Sequence, residues 1–556
     1  MNSCTWPHEN PSRNFDHIII GGGAAGCVVA ARLSEDPSCE VLLVEAGPDP
    51  VSAAVTMPFG VFDLQRGDLD WCDTTIPQAE LNQREIAISA GRALGGGGSI
   101  NFMAWYRGHP SDYDSWVTQG MDGWGWKDVL PYFRRSEDHE LGCSQLHMTG
   151  GPMPVSTSKD ISPMSIAFVA AGLEHGLTLN RDFNGSSLDG VGLLYSNIRR
   201  GERVSAAEGY LRSARERSNL TVLTETIARR ILLSGTVVNG ALVTTREGET
   251  FPIYSKSVVL SAGPLRSPQL LMLSGIGPAK HLSDLGIEVS VDLPGVGSNL
   301  HDHITGLAVW PVIRGATWAD ADTANNRDLY ASARRGPLAS MGQVGAFLRC
   351  GDGATAPNIE LTPMLMDFTK GTHCPGFTCM VTLLVPESRG RLRLRSSNPS
   401  NNPIVDPRYL RADVDRRTLV EGVRQSLEIC GDPSLSSFIG RRILPNGAVS
   451  NEDILATIRS TSISMNHPAG TCRAGNDEYS VVDPQLKVHG VDGLRIIGSS
   501  IMPNLPRANT HAPSIMIGER GVEFIRTKDL GETRRRGWPS TFPIPQLHFK
   551  EAPFAP

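Results

Sequence analysis

Residues 17–26, HIIIGGGAAG, limit what this chain can fold into more than any other stretch. A short apolar run ends in glycines at Gly21, Gly23 and Gly26, spaced G-x-G-x-x-G, and the AAGCVVAARL that follows has helical texture. A strand joined to a helix through such a turn lets the backbone approach a pyrophosphate, which then rests on the helix N-terminus. Glu45 closes VLLVEAG at the distance where an acid accepts from a ribose hydroxyl. The pattern specifies a dinucleotide site and leaves FAD and NAD both open.

At 556 residues the chain exceeds the size at which one core keeps growing, so two domains, or one with a large insertion, are expected. Its 52 Lys plus Arg are offset by 58 Asp plus Glu, a net charge of -6, which excludes the basic footprint of a nucleic-acid binder. No apolar run is long enough to span a membrane, and the opening MNSCTWPHENPSRNFD is polar where a signal peptide is apolar, so a cytoplasmic protein is expected. The ten cysteines are dispersed without a C-x-x-C pair, as free buried thiols are.

Residues 15–47, 84–108, 218–277 and 480–525 have the apolar-run, glycine and helix texture of α/β structure. Between them, MGQVGAFLRC, NIELTPMLMDF, FTCMVTLLVP and GRLRLRS read as successive strands of an antiparallel sheet. The expected architecture is therefore α/β with two domains. A discontinuous Rossmann-like domain takes residues 14–150, 205–310 and 478–527, and an inserted antiparallel-sheet domain takes 151–204 and 311–477. The cleft between them holds the chemistry. The proline-rich residues 528–556, with Arg534, Arg535 and Arg536, form an extended tail.

A second block, GRALGGGGSINFMAWYRG, carries Arg92, Gly95, Gly97, Gly98 and Asn101 in a loop whose glycines clear side chains from a large ligand. A third, SAGPLRSPQLLMLSGIGP, follows the strand-like SVVL. The fourth joins NHPAGTCRAG to GLRIIGSSIMPNLPRANTHAPSIMIGERG. In order and spacing these four blocks resemble the glucose-methanol-choline (GMC) oxidoreductases, from about Phe15 to about Ile525.

The resemblance implies FAD, a two-domain fold and oxidation of an alcohol, with oxygen or another acceptor taking the electrons. It implies that Gly21, Gly23 and Gly26 approach the pyrophosphate, Glu45 the adenosine ribose, the loop from Gly95 to Asn101 the flavin edge, and the Ala228 backbone the adenine. His467 in NHPAGT matches the catalytic histidine and Asn509 in RANTHAP its partner, with His511 ranked below Asn509. The helix opening near Pro513 is expected to aim its N-terminus at the flavin. Gly498 stands where the family commonly has Asp, so that cofactor contact is expected to be either missing or supplied by Ser499 or Ser500. Relatives with a flavin-linked histidine carry it just before the loop asparagine. Ile100 stands there, which implies non-covalent FAD.

A base beside the flavin suits this chemistry, because hydride leaves an alcohol carbon readily only as the hydroxyl proton is removed. Phe102, Met103, Phe347, Met364, Met366 and Phe368 are candidate pocket walls and favour an aryl or hydrophobic primary alcohol. Adjacent His301, Asp302 and His303 cannot readily converge on one ion, so no metal is expected and NLHDH reads as a structural loop near the cofactor. A lyase or photodecarboxylase on the same scaffold is the alternative.

Overall fold

In a computed structural model, residues 15–351, 353–370, 374–447 and 449–533 are described. Five parallel strands form the first sheet, in the order Leu220–Leu223, Val41–Val44, His17–Ile20, Val258–Leu260, Leu494–Ile496. HIII and VLLV are buried throughout, as strands with both faces covered must be. The strand order reverses at His17–Ile20. That is the switch point above which α/β sheets bind ligands, and the turn at Gly21 leaves from it. The expected α/β, Rossmann-like fold is present.

Helix Ala24–Leu33 follows the turn and packs on the last helix, His511–Thr533. Gly518 permits the close crossing, since a Cβ there would lie 2.9 Å from the Val28 Cβ. Glu519, also on the last helix, is buried and takes hydrogen bonds from Arg32 and Tyr210. Because this helix continues to Thr533, the first residues of the expected tail are helical. The remainder, Arg534–Arg536 included, lies outside the described residues.

Two expected elements divide differently. LTVLTETIARRIL is two strands: Leu220–Leu223 joins the parallel sheet, and Thr226–Ser234 opens a separate antiparallel sheet. Glu225 sits between them at φ 51° and donates its N–H to the Gly47 carbonyl, which turns the chain. Residues 84–108 supply only the short strand Ala87–Ile88 and a 3-10 turn, Gly96–Ser99. A run of glycines has no side chains to pack in a sheet and much entropy to lose.

Six antiparallel strands form the second sheet, in the order Ile463–Ser464, Ile304–Trp310, Phe377–Leu383, Ile359–Met364, Val344–Leu348, Gly190–Leu193. The domain boundary expected at residue 310 is therefore corrected, because Ile304–Trp310 pairs on both edges inside this sheet. Its unbroken apolar run carries no sign of the change of sheet. GRLRLRS also departs from expectation: Arg391–Arg393 pairs only with Ile404–Asp406 in a separate ribbon. Helix Asp413–Cys430 covers one face of the six-stranded sheet, with Gly422 against Ile359 and Val381. Side chains alternate along a strand, so Glu360, Thr362 and Met364 turn from that helix toward a cavity.

Among the described residues, nine cysteines are all free, and no helix is long and apolar enough to cross a membrane.

Candidate active site

A cavity of about 580 Å³ runs from the glycine turn to the six-stranded sheet, a size typical of small-molecule and cofactor sites. Its nucleotide end is walled by Gly21, Gly23, Glu45 and Ala228. Arg92, Gly97, Gly98 and Asn101 continue the wall, and Ser499, Asn509 and His467 complete it. Residues separated by more than four hundred positions in sequence thus meet in one space.

Two features of the wall fit a large polar ligand. A Cβ built on Gly97 meets nothing within 4 Å, although Gly97 lines the cavity. Buried polar atoms of the lining, Arg92 Nε, Ser261 Oγ and His511 Nε2, have no hydrogen-bond partner among the described residues. Such atoms are costly unless something in the cavity pairs with them. Glu45 accepts N–H bonds from Gly22 at 2.7 Å and Gly47 at 2.8 Å. Burial still pushes its carboxyl up to about 7, against those bonds.

Three expected cofactor contacts are corrected. Gly26 lies within the first helix, where a Cβ would come 1.9 Å from the Gly21 carbonyl oxygen; its role is close packing of turn and helix. Gly95, at φ 88°, donates its N–H to Gly22 and packs against Ser99 and Ser205, so it joins the two glycine loops from behind. Pro513 is off the wall, whereas His511 and Ser514 are on it. At three residues apart these two share a helix face, and Pro513 points elsewhere. Phe347 and Met366 are likewise core residues away from the cavity, while Phe102, Met103, Met364 and Phe368 line it.

His467 Nε2 lies 3.1 Å from Asn509 Nδ2, and His467 Nδ1 lies 3.0 Å from His303 Nδ1. His303 Nε2 in turn lies 3.1 Å from the Leu384 carbonyl oxygen. A carbonyl can only accept, so His303 carries its proton on Nε2 and presents a bare Nδ1. His467 must then donate from Nδ1, which leaves its Nε2 with a lone pair, and Asn509 donates to that lone pair. Three contacts fix one tautomer of His467. Burial, with the His303 charge second, lowers its pKa well below the usual 6.5. Burial likewise brings His303 down to about 4, with the Leu384 contact opposing it, so both rings are neutral at pH 7.

NLHDH reaches further into the site than a structural loop. Asp302 accepts the His467 backbone N–H at 2.8 Å and the hydroxyls of Ser464 and Tyr409. His301 turns away to its own backbone neighbour, the Asn299 carbonyl. The three adjacent side chains diverge, as their spacing requires. Arg203 is a further buried group that sequence reasoning missed. It donates to the Gly98 and Asn101 carbonyls and to Asn101 Oδ1, and so shapes the glycine loop. No motif marks a lone arginine at such a distance from the loop that it holds.

Elsewhere, Glu137, His139 and His147 come together with ligand-like spacing. Most of their ligand atoms are engaged: Glu137 by Arg107 and Trp105, His147 by Asp182 at 2.8 Å, and His139 Nδ1 by the Leu141 N–H, which leaves His139 Nε2 without a partner among the described residues. Burial raises the Glu137 pKa, yet the Arg107 charge and these bonds hold it at about 2. The cluster is a buried ion-pair network.

A Rossmann-like sheet at a cavity shared with a substrate-side antiparallel sheet, with a histidine and an amide at the junction, defines a dinucleotide-dependent oxidoreductase. Family models described as GMC oxidoreductase match residues 15–305 and 386–518. The chain belongs to the GMC oxidoreductase family. It is 38% identical over 529 residues to an alcohol dehydrogenase [acceptor] of Pseudomonas putida, covering 92% of this chain and 96% of that one. Human mitochondrial choline dehydrogenase is 37% identical over 534 residues, at 92% and 90% coverage. The crystal structure of pyridoxine 4-oxidase from Mesorbium loti superposes with a TM-score of 0.85 at 33% identity, over 92% of this chain and 99% of that one. The protein is an FAD-dependent oxidoreductase acting on CH–OH donors.

Proposed function

We propose that the protein oxidises a primary alcohol with an aryl or otherwise apolar body to its aldehyde, with His467 as the base. The observation that carries this reading is the lone pair on His467 Nε2, fixed by the chain from the Leu384 carbonyl through His303. When bound, FAD supplies the acceptor for the hydride on the carbinol carbon. The hydroxyl proton passes to His467 Nε2 as the C–H bond breaks, so the alcohol loses one hydride and one proton and a C=O bond forms. With substrate bound, Asn509 gives up its bond to His467 Nε2, which frees that lone pair, and donates its amide N–H to the substrate oxygen as it gains negative charge. His467 then carries the proton, and its Nδ1–H remains bonded to His303.

Gly21, Gly23, Gly97 and Gly98 present bare backbone to the cofactor, and Glu45, Arg92, Asn101, Ala228 and Ser499 supply polar contacts around it. His511 and Ser514 bring the first turn of the last helix to the cavity, whose positive end suits an anionic ring edge. FAD is held without a covalent bond, because Ile100 offers no nucleophilic atom. Phe102, Met364 and Phe368 favour an apolar substrate body. Relatives named for alcohol, choline and pyridoxine chemistry support the alcohol and leave the body open.

Anaerobic stopped-flow reduction tests this reading. His467→Ala should keep its FAD and slow reduction about a hundredfold to ten-thousandfold, the worth of a positioned base. Unchanged reduction removes His467 from the mechanism. A wild-type flavin that no alcohol bleaches in the dark points instead to lyase or photodecarboxylase chemistry.

A further inference from the structure

One charged side chain in the cavity has no part in the chemistry above. Glu360 stands on the strand Ile359–Met364, between Ile359 and Leu361, which pack under helix Asp413–Cys430. Its own side chain falls on the opposite face and lines the cavity with Thr362, Met364 and Met380. It is 6% exposed, and among the described residues Thr362 is the side chain that bonds it, through Oε1 at 3.2 Å. No arginine, lysine or histidine contributes to its electrostatic surroundings, and burial pushes its carboxyl up to about 7.

A carboxyl that has the hydroxyls of Thr362 and Tyr106 near it but, among the described residues, no cation is an expensive thing to bury unless a partner arrives. Its position is also informative. Thr305, Thr382 and Glu360 face one another across three neighbouring strands, and the Thr305 and Thr382 hydroxyls lie 2.8 Å apart. Two strand spacings put the Glu360 backbone ~10 Å from that of Thr305. Thr305 lies two residues after His303, which holds His467. The carboxyl is thus within reach of the far end of a one-ring molecule whose carbinol lies at His467. Phe102 and Phe368 line the space as well, and aromatic faces tolerate a cation that a purely aliphatic wall does not.

We propose that Glu360 is a specificity-determining residue that binds an N–H-bearing cationic group, an amine or a protonated ring nitrogen, at the end of the substrate remote from its carbinol. This rests on the alcohol-oxidising role assigned to the same cavity. The substrate is then an amphipathic amino alcohol with an apolar body. Its cation and the ionised carboxylate neutralise one another in the cavity, and Thr362 holds the carboxylate in place.

The test uses the holoenzyme and two matched probes, 4-(aminomethyl)benzyl alcohol and benzyl alcohol. Wild type should reduce its flavin with the amino alcohol at about tenfold to hundredfold higher kcat/KM, the usual worth of a charge-assisted hydrogen bond. Glu360→Gln, matched in shape, should erase that preference while keeping full flavin content. Glu360→Leu should do the same. Equal kcat/KM for the two alcohols in wild type, or a preference that survives both substitutions, overturns the proposal and leaves alcohol oxidation intact. Titration of the flavin spectrum with benzylamine, which has no carbinol, separates the two claims. Binding to wild type but to neither variant supports the Glu360 site even if no alcohol bleaches the flavin. Equal binding to all three overturns it.

Discussion

The Nδ1 atoms of His303 and His467 lie 3.0 Å apart, so one of these rings must donate to the other, and the Leu384 carbonyl decides which. His303 is a positioning residue: it touches neither carbinol nor cofactor in the role proposed, and it acts by holding the proton of His467 on the far nitrogen. His303→Phe removes the acceptor and leaves His467 Nδ1–H buried without a partner. Flavin reduction should slow about tenfold to hundredfold while FAD stays bound. His303→Asn, whose Oδ1 can stand near the lost Nδ1, should recover part of the rate. Full-speed reduction by His303→Phe would show that the tautomer is set elsewhere.

The same pair sets a pH dependence. Burial lowers the pKa of His467 well below 6.5 and brings His303 to about 4. A base must be neutral to take a proton. At saturating alcohol, the reduction rate should therefore hold level as pH falls through 6.5 and be lost only on further acidification. An inflection at or above pH 7 in a stopped-flow series would contradict the buried, neutral histidine.

Gly97, in the second glycine loop, and Gly26, in the first turn of the helix that follows the first loop, should fail differently when substituted. Gly97→Val adds a side chain into open cavity, where the Cβ meets nothing within 4 Å, so the apoprotein should keep its fold and lose its FAD. Gly26→Val drives a Cβ to 1.9 Å from the Gly21 carbonyl oxygen and should damage folding itself. The ratio of flavin to protein absorbance, read with a thermal melt, separates the two outcomes. A flavin-replete Gly97→Val would place the cofactor elsewhere.

What the sequence made legible follows from how local each signal is. HIIIGGGAAG announces its strand, turn and helix because all three are adjacent, and the apolar strand-like runs of residues 341–383 show one sheet because they follow one another in sequence with no helix between them. Ile304–Trp310 could not be placed, since a buried strand looks the same in either sheet. His467 and Asn509 were legible through family motifs. The residues that hold them were not: Asp302 and His303 sit in NLHDH, 164 positions before His467 in the case of His303, and no spacing rule links them. Glu360 was hidden for another reason. An acid in an apolar strand gives no sign of which face it takes until the helix covering the other face is known.

Release of the cofactor offers a direct check on its mode of binding. Ile100 is buried at the loop position where linked relatives carry histidine, and its side chain cannot form a bond to the flavin ring. Acid precipitation should leave all the yellow colour in the supernatant. A coloured peptide that survives proteolysis of the pellet would establish a covalent link through another residue.

Asn509→Asp gives the most discriminating test of the His467 assignment, because it puts a charge beside His467 Nε2 while keeping the side chain's shape. In the protein as it stands, Asn509 Nδ2 donates to His467 Nε2 across 3.1 Å. A carboxylate at that place cannot donate, and it favours the charged imidazolium, whose Nε2–H it can accept. An opposite charge so close raises a histidine pKa. The sign follows: His467, now well below 6.5, should move up, and the acid limb of the reduction profile should move up with it. Below the raised pKa the variant should reduce its flavin slowly because its base already holds a proton, and part of the rate should return as pH is raised through it. Asn509→Ala should slow reduction without that shift, since it removes the amide but adds no charge. If Asn509→Asp keeps the wild-type pH profile, the ring beside residue 509 is not the group whose protonation limits the reaction.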